Sequence, residues 1–214
     1  MKITLIGATG MIGQRILAEA LSRKHQVTVV ARDPSKVAKQ PNVEVKAGDV
    51  MKPETVIPAL AGADVLVSSC SPPKDDPRQA IDSVRTLTEA VTAAGNAANR
   101  SIRLIMVGGA GSLEIAPGVQ ILDTPNFPEA WKPIASAHRD ALAALRKTSI
   151  DWTYFSPAAL IQPGTRTGKF RLGTEQLVAD AKGESRISAE DYAVALVDEI
   201  EKPQFIRKRF TAAY

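Results

Sequence analysis

The 214-residue chain has one cysteine, Cys70, and two histidines, His25 and His138. A lone cysteine closes no internal disulfide, which excludes a disulfide-stapled secreted scaffold. With so few histidines and cysteines, no spacing resembles a metal-ligand set, and no metal is expected. Aromatic residues make up 5% of the chain. No apolar run approaches the 18 or so residues of a membrane span, and no repeat or low-complexity tract interrupts the sequence. The opening MKITLIGATG offers too short an apolar run for a signal-peptide core, so a cytoplasmic globular protein is the expectation. The 27 basic and 23 acidic residues leave a net charge of +4. That modest, scattered excess suits a phosphate-bearing small ligand as well as a polyanion; neither nucleic acid nor membrane is expected as a partner.

What the chain does have is an ordered alternation. Residues 2–6, 27–31, 43–47, 64–68 and 103–107 read as short strands, apolar nearly throughout. Helical stretches separate them: Met11 to about Arg23, 53–61, and 78–98 with Ile81, Val84, Leu87 and Val91 on one stripe. Asp33-Pro34 reads as a helix start, with Asp33 as cap. Apolar strands alternating with amphipathic helices imply an α/β fold with a doubly wound parallel sheet, the nucleotide-binding Rossmann arrangement, with ligands at the strands' carboxyl ends. The second half is less regular. A Gly- and Pro-rich segment, 108–133, is long enough to carry function. A helix is expected from about 134 to 147, a strand over 152–155, and a small C-terminal, substrate-side lobe from 163–187. Ser188 with Asp191 reads as a capping box before the last helix. The whole chain, 1–214, reads as a single domain with 108–133 and 163–187 as substrate-side insertions.

Gly7-Ala8-Thr9-Gly10-Met11-Ile12-Gly13 is a GxxGxxG turn between strand and helix. Glycines there allow the tight turn and the backbone's approach to a pyrophosphate, and the helix N-terminus offers free N–H groups. The second strand ends at Arg32, where an acidic residue would select NAD through the 2′-hydroxyl. Arg32, with Lys36 one turn on, suits a 2′-phosphate, so NADP(H) is expected ahead of NAD(H). The alternative has Arg32 and Lys36 as solvated charges, with Asp33 turned inward to NAD. Asp49 is a candidate acceptor for an adenine amino group, or a turn residue after Gly48.

The segments GATGMIG, VTVVARDPSKV and GDV, with RLIMVGGAGSL, DWTYFSPAAL, RTGKFRLG and ISAEDYAVALVDEIE, resemble the atypical short-chain dehydrogenase/reductases across essentially the whole chain. The resemblance points to the biliverdin reductase B and flavin reductase-like branch, with its YwnB-like and NmrA-like members. It implies that Gly7, Thr9, Gly10, Met11 and Ile12 line the pyrophosphate, that Arg32 and Lys36 take the 2′-phosphate, and that Asp49-Val50 flank adenine. It sets Ser68 to Ser71, including Ser69 and Cys70, beside the nicotinamide ribose, and Gly108 to Ser112 facing the nicotinamide.

The Tyr-x-x-x-Lys pair of typical superfamily members is absent: Ala158 follows Tyr154 by four residues, and Leu196 follows Tyr192. The branch's usual serine falls at Gly109, with Ser112 nearby as a substitute; its histidines fall at His138 and at Ala159. Ser112 and His138 are therefore the catalytic candidates, against readings as a loop serine and a solvent-facing histidine. Phe127 and Trp131 are candidate walls for an aromatic substrate. Arg166, Lys169 and Arg171 read as a charged strand edge, or as attraction for an anionic substrate. Cys70 lacks a partner for nucleophilic chemistry. The expected activity is NADPH-dependent hydride transfer to a planar small-molecule acceptor such as a flavin, quinone or biliverdin-like compound, by a monomer or homodimer. The alternative is a non-catalytic NADP(H)-sensing regulator.

Overall fold

The computed structural model describes residues 1–214. Along the chain run β1 (Lys2–Ile6), α1 (Met11–Ser22), β2 (Gln26–Ala31), β3 (Val43–Ala47), α2 (Pro53–Val56), β4 (Val65–Ser68), α3 (Gln79–Ala98) and β5 (Arg103–Val107). Then follow β6 (Glu114–Ala116), β7 (Val119–Gln120), α4 (Lys132–Leu145), β8 (Trp152–Ser156), β9 (Leu160–Gln162), β10 (Arg171–Gly173), β11 (Arg186–Ser188), α5 (Ala189–Glu201) and β12 (Lys208–Ala213). Eight strands form one sheet in the order β3-β2-β1-β4-β5-β8-β12-β10. All neighbours are parallel except β10, which runs antiparallel on β12. The strand order reverses between β1 and β4, and this switch point opens a crevice at the carboxyl ends.

The pleat divides each strand between two cores. Ile3, Leu5, Val65, Val67, Ile105, Phe155 and Phe210 pack on one face against Ile16 and Leu17 of α1 and Tyr192 and Leu196 of α5. Leu66, Leu104, Met106, Trp152 and Tyr154 face the other way, against Val84 and Leu87 of α3 and Leu142 and Leu145 of α4. Period-two alternation in strands that look uniformly apolar is what a sheet covered on both sides requires. Phe155 stacks between Tyr192 and Phe210, with ring centroids 3.8 and 3.9 Å away. The Tyr192 hydroxyl donates to the Phe155 carbonyl at 2.7 Å, so this large aromatic is buried with its polar end satisfied. Arg103 breaks the apolar run at the start of β5. It is buried, pairs with Glu199 of α5 at 3.1 Å and donates to the Glu199 carbonyl at 2.7 Å.

The first five strands, α1 and α3 lie where their sequence patterns put them, whereas Asp33-Pro34 starts only a 3-10 turn, Pro34–Lys36, and the stretch 53–61 divides into α2 and a 3-10 turn, Ile57–Leu60. The carboxyl half departs in three ways. Strand β12 follows from no pattern, because its opening Lys208-Arg209 resembles a surface basic cluster; Arg209 is in fact buried and tied to a loop. The segment 163–187 lays no lid over the crevice. It supplies edge strand β10, and β11, which pairs with β9 in a separate two-stranded sheet. Of Arg166, Lys169 and Arg171 only Arg171 lies in the edge strand; Arg166 forms two 2.8 Å bonds to the Glu19 carboxylate. The cap at α5 forms in one direction only. Ser188 Oγ accepts from the Asp191 N–H at 3.0 Å, while the Asp191 carboxylate accepts from Thr167, Gly168 and Tyr214 instead.

Candidate functional site

The turn from β1 into α1 is built backbone on backbone. Gly7 has φ +84°, and a Cβ there would stand 2.6 Å from the Ser69 carbonyl oxygen. A Cβ at Gly13 would stand 2.0 Å from the Gly7 carbonyl oxygen, so the helix lies directly on the turn. Gly10 differs: its Cβ would meet nothing closer than 3.4 Å, leaving the bare backbone facing outward. Gly10 is the N-cap residue of α1 and offers no capping side chain; the first turn carries no acidic residue. The N–H groups of Met11, Ile12 and Gly13 therefore point from a partly positive helix end with no helical acceptor.

The turn that leads into this helix end, Gly7 to Thr9, lines a cleft of about 290 Å³ walled by the carboxyl ends of β1 to β4. Gly7, Thr9, Arg32, Lys36, Asp49, Val50 and Cys70 all line it, so the structure brings together most of the expected cofactor residues. Gly10, Met11, Ile12 and Ser69 are not among its walls: the first three follow Thr9 as the N-cap and first residues of α1, and the Ser69 carbonyl packs against Gly7. Arg32 is exposed and pairs with no carboxylate. Asp33 is already engaged: one oxygen accepts from the Ser35 N–H at 3.1 Å and its hydroxyl at 2.6 Å, and these bonds hold its carboxyl below the usual range. Lys36 Nζ stands 3.9 Å from the other Asp33 oxygen. Asp49 caps its own turn, accepting from the Met51 N–H at 3.0 Å with one oxygen and leaving the other toward the cleft. Burial pushes the Cys70 thiol up to about 11, so it stays protonated and unreactive. A bare backbone nest, an open helix end and an unpaired guanidinium suit a bound dinucleotide.

Beyond the β4–α3 loop lies a larger cavity of about 790 Å³ at the carboxyl ends of β5 and β8. Ile121, Phe127, Pro128, Trp131 and Ile134 from the long loop and α4 give it mostly apolar walls, and Gly109 to Gly111 form its floor. His138 lines it, as does Ala159. Behind His138 stands Tyr154, fully buried. The phenol donates its one proton to the His138 carbonyl at 2.9 Å, and the Gly109 N–H points at its oxygen. His138 Nδ1 is 3.3 Å from the same oxygen and can only be the donor there, so the proton of the neutral ring sits on Nδ1. Nε2 is left as an acceptor. Burial pushes the imidazole down to about 4, so at neutral pH it is not an imidazolium acid. Gly108 and Gly109 make this arrangement possible: Cβ atoms there would stand 2.0 Å from the Tyr154 ring and 3.0 Å from His138 Cβ. A serine at 109 would crowd the histidine.

Ser112 does not reach the cavity. It is buried behind the loop, where Arg209 Nη1 donates to both its carbonyl and its Oγ at 2.9 Å. Its catalytic assignment is corrected to a structural one, and the cause lies in β12, whose buried arginine the sequence pattern hides. His138 is in the cavity, but as an acceptor rather than a proton donor. Two residues escaped the sequence reading. Tyr154 orients His138 without touching the cavity, and Lys74 lines it from the loop after β4. A lysine just past a parallel strand's carboxyl end was the available signal.

Gly13→Ala is expected to cost about 2 kcal/mol or more through backbone overlap, whereas Gly10→Ala costs about 1 kcal/mol or less yet weakens nucleotide binding. Melting temperatures with and without nucleotide separate the two effects. His138 gives a second expectation. Its folded pKa lies below that of the unfolded chain, so its share of stability is whole above pH 6.5 and is lost as the pH falls toward 4. The slope reaches up to about 1.4 kcal/mol per pH unit. Denaturant titrations between pH 7 and 4 should show this slope flattened in His138→Phe.

Residues 7–203 match the family model described as NAD(P)H-binding. The chain is 38% identical to YwnB of Bacillus subtilis, over 99% of its own length and 97% of that protein's. Among solved structures, a Burkholderia pseudomallei protein provisionally named as exported is 49% identical, with a TM-score of 0.90 and full coverage of both chains. A Streptococcus pneumoniae protein provisionally named an NADH-flavin reductase is 34% identical, with a TM-score of 0.88 over 100% of this chain and 99% of that one. No helix is long and apolar enough to cross a membrane. With its glycine turn, open helix end and switch-point cleft, this chain belongs to the NAD(P)H-binding family of Rossmann-fold proteins.

Proposed function

We propose that the protein is an NADPH-dependent cytoplasmic reductase that passes hydride to a planar conjugated small molecule, such as a flavin, quinone or biliverdin-like acceptor. The observation that carries this reading is the 790 Å³ mostly apolar cavity beside the cofactor cleft, which has room for a flat ring system and whose one formally charged side chain is the exposed Lys74. In the cleft, the α1 N–H groups and the Gly7–Gly10 backbone would hold the pyrophosphate, while Asp49 and Val50 would border adenine. Arg32 and Lys36 would grip a 2′-phosphate. Asp33 lines the same cleft, with one oxygen held by Ser35 and the other 3.9 Å from Lys36 Nζ. When bound, the reduced nicotinamide supplies the hydride. Phe127 and Trp131 would hold the acceptor's faces, and His138 Nε2 would accept a hydrogen bond from an N–H or O–H on its edge.

A simple ketone would develop an alkoxide that neither Tyr154 nor His138 is poised to protonate. Tyr154 is fully buried and has its proton committed, and His138 is neutral. An extended π system spreads the incoming charge and can draw its proton from water, which reaches the cavity past the 62%-exposed Trp131. Binding and orientation are then the protein's main contribution.

NADPH oxidation across flavins, quinones, biliverdin and simple carbonyls tests the reading, with nucleotide binding measured in the same samples. Turnover is expected with flat conjugated acceptors and not with simple carbonyls. Tight NADPH binding without turnover on any acceptor would overturn it in favour of a nucleotide sensor. Arg32→Ala removes a charge-assisted hydrogen bond to the 2′-phosphate, so it should weaken NADPH binding by roughly tenfold or more and leave NADH binding far less affected. Equal weakening for both nucleotides would remove the 2′-phosphate role.

A further inference from the structure

The loop from β4 to α3, Ser69-Cys70-Ser71-Pro72-Pro73-Lys74-Asp75-Asp76-Pro77-Arg78, serves two compartments. Cys70, Ser71 and Pro73 face the cofactor cleft, whereas Lys74 lines the acceptor cavity. Lys74 is the one formally charged side chain on that cavity's walls, and no carboxylate is among them. The remaining polar walls are neutral. The Thr124 hydroxyl spends its proton on the Ile121 carbonyl at 2.7 Å, His138 presents a bare Nε2, and Asn126 adds an uncharged amide. Lys74 itself is exposed, and the nearby Asp76 carboxylate is engaged by Gln79 at 3.1 Å. Asp75 and Asp76 follow Lys74 in the loop but neither lines the cavity, so the Lys74 ammonium is the one formal charge on these walls, where low-dielectric surroundings strengthen its field.

We propose that Lys74 forms an anion subsite of the acceptor cavity, so that the favoured acceptor carries a phosphate or carboxylate on a tail beyond its conjugated ring. The ring lies among Phe127, Trp131 and Ile134, and the anionic group reaches the Lys74 ammonium. The inference rests on the reductase reading for the identity of the ligand, but the subsite is a binding property that can be measured without turnover. It also gives the proline-rich loop a role in specificity. Residues 70–73 border the cofactor while residue 74 selects the acceptor, so the two ligands are read by one short segment.

Riboflavin and FMN are the probes, since they share a ring system and differ by one phosphate. In the wild type, kcat/KM with NADPH should favour FMN, and the preference should shrink as ionic strength rises. The FMN-to-riboflavin ratio should fall roughly three- to tenfold in Lys74→Ala, fall further in Lys74→Glu, and recover in Lys74→Arg. Binding of both flavins, followed by quenching of flavin fluorescence with NADP+ present, gives the same comparison without chemistry. A ratio that is unchanged in Lys74→Ala overturns the proposal. So does a rise in KM for NADPH at constant ratio, which would assign Lys74 to the cofactor. Lys74-dependent FMN binding without turnover would overturn the reductase reading and leave the anion subsite standing.

Discussion

Everything at the cofactor side depends on main chain lying against main chain between β1, α1 and the end of β4. The Gly7 carbonyl occupies the space that a side chain at Gly13 would need, and the Ser69 carbonyl occupies the space above Gly7. These two contacts set the depth of the crevice and the aim of the helix. They also leave Gly10 as the glycine whose bareness the protein's own packing does not demand, so its open face is directed at whatever the cleft holds. The helix end adds a partial positive charge where a pyrophosphate would lie. The adjacent strand end adds a guanidinium whose nearest acidic neighbour in sequence, Asp33, is already bonded to Ser35.

The acceptor side follows a different logic, in which a fully buried phenol governs a partly exposed imidazole. Tyr154 cannot reach a substrate, yet its three hydrogen-bond positions decide which nitrogen of His138 carries the proton. Two consecutive glycines admit the pair by leaving no side chain in its path. The outcome is a cavity that can receive a hydrogen bond at His138 and meet an anion at Lys74, but in which neither the phenol nor the imidazole serves as an acid. Such a site suits acceptors whose electronics need little help with charge.

The cofactor half was legible because local patterns and tertiary structure agree there. Four of the first five strands are largely apolar runs of four to six residues, β3 alone carrying Glu44 and Lys46, and the long helices α1 and α3 keep their stripes. Glycine spacing and the residue after β2 carry the site directly in the order of the chain. The acceptor half was not legible in that way. Strand β12 is short and opens on two basic residues, so it looks like surface until Arg209 is seen reaching back to Ser112. That long-range contact is why Ser112 is a structural residue, and no spacing between positions 112 and 209 announces it. The neutrality of His138 likewise comes from burial against a tyrosine 16 positions away. The capping box at α5 failed for a related reason: Asp191 is fully buried and is claimed by a loop and by Tyr214.

The strand order bears on how the molecule is made as well as on what it binds. β1 to β5 form five adjacent strands from the first 107 residues, so the cofactor crevice can take shape from an early part of the chain. β8 gains its outer neighbour only when residues 208–213 emerge, and β10, though earlier in sequence, has no partner until then. Until that moment the outer edge of β8 and the buried face of Phe155 stay open, a non-local pairing that closes late and leaves a strand edge available to other chains. The half of the sheet that borders the larger cavity is thus also the half whose edge closes last.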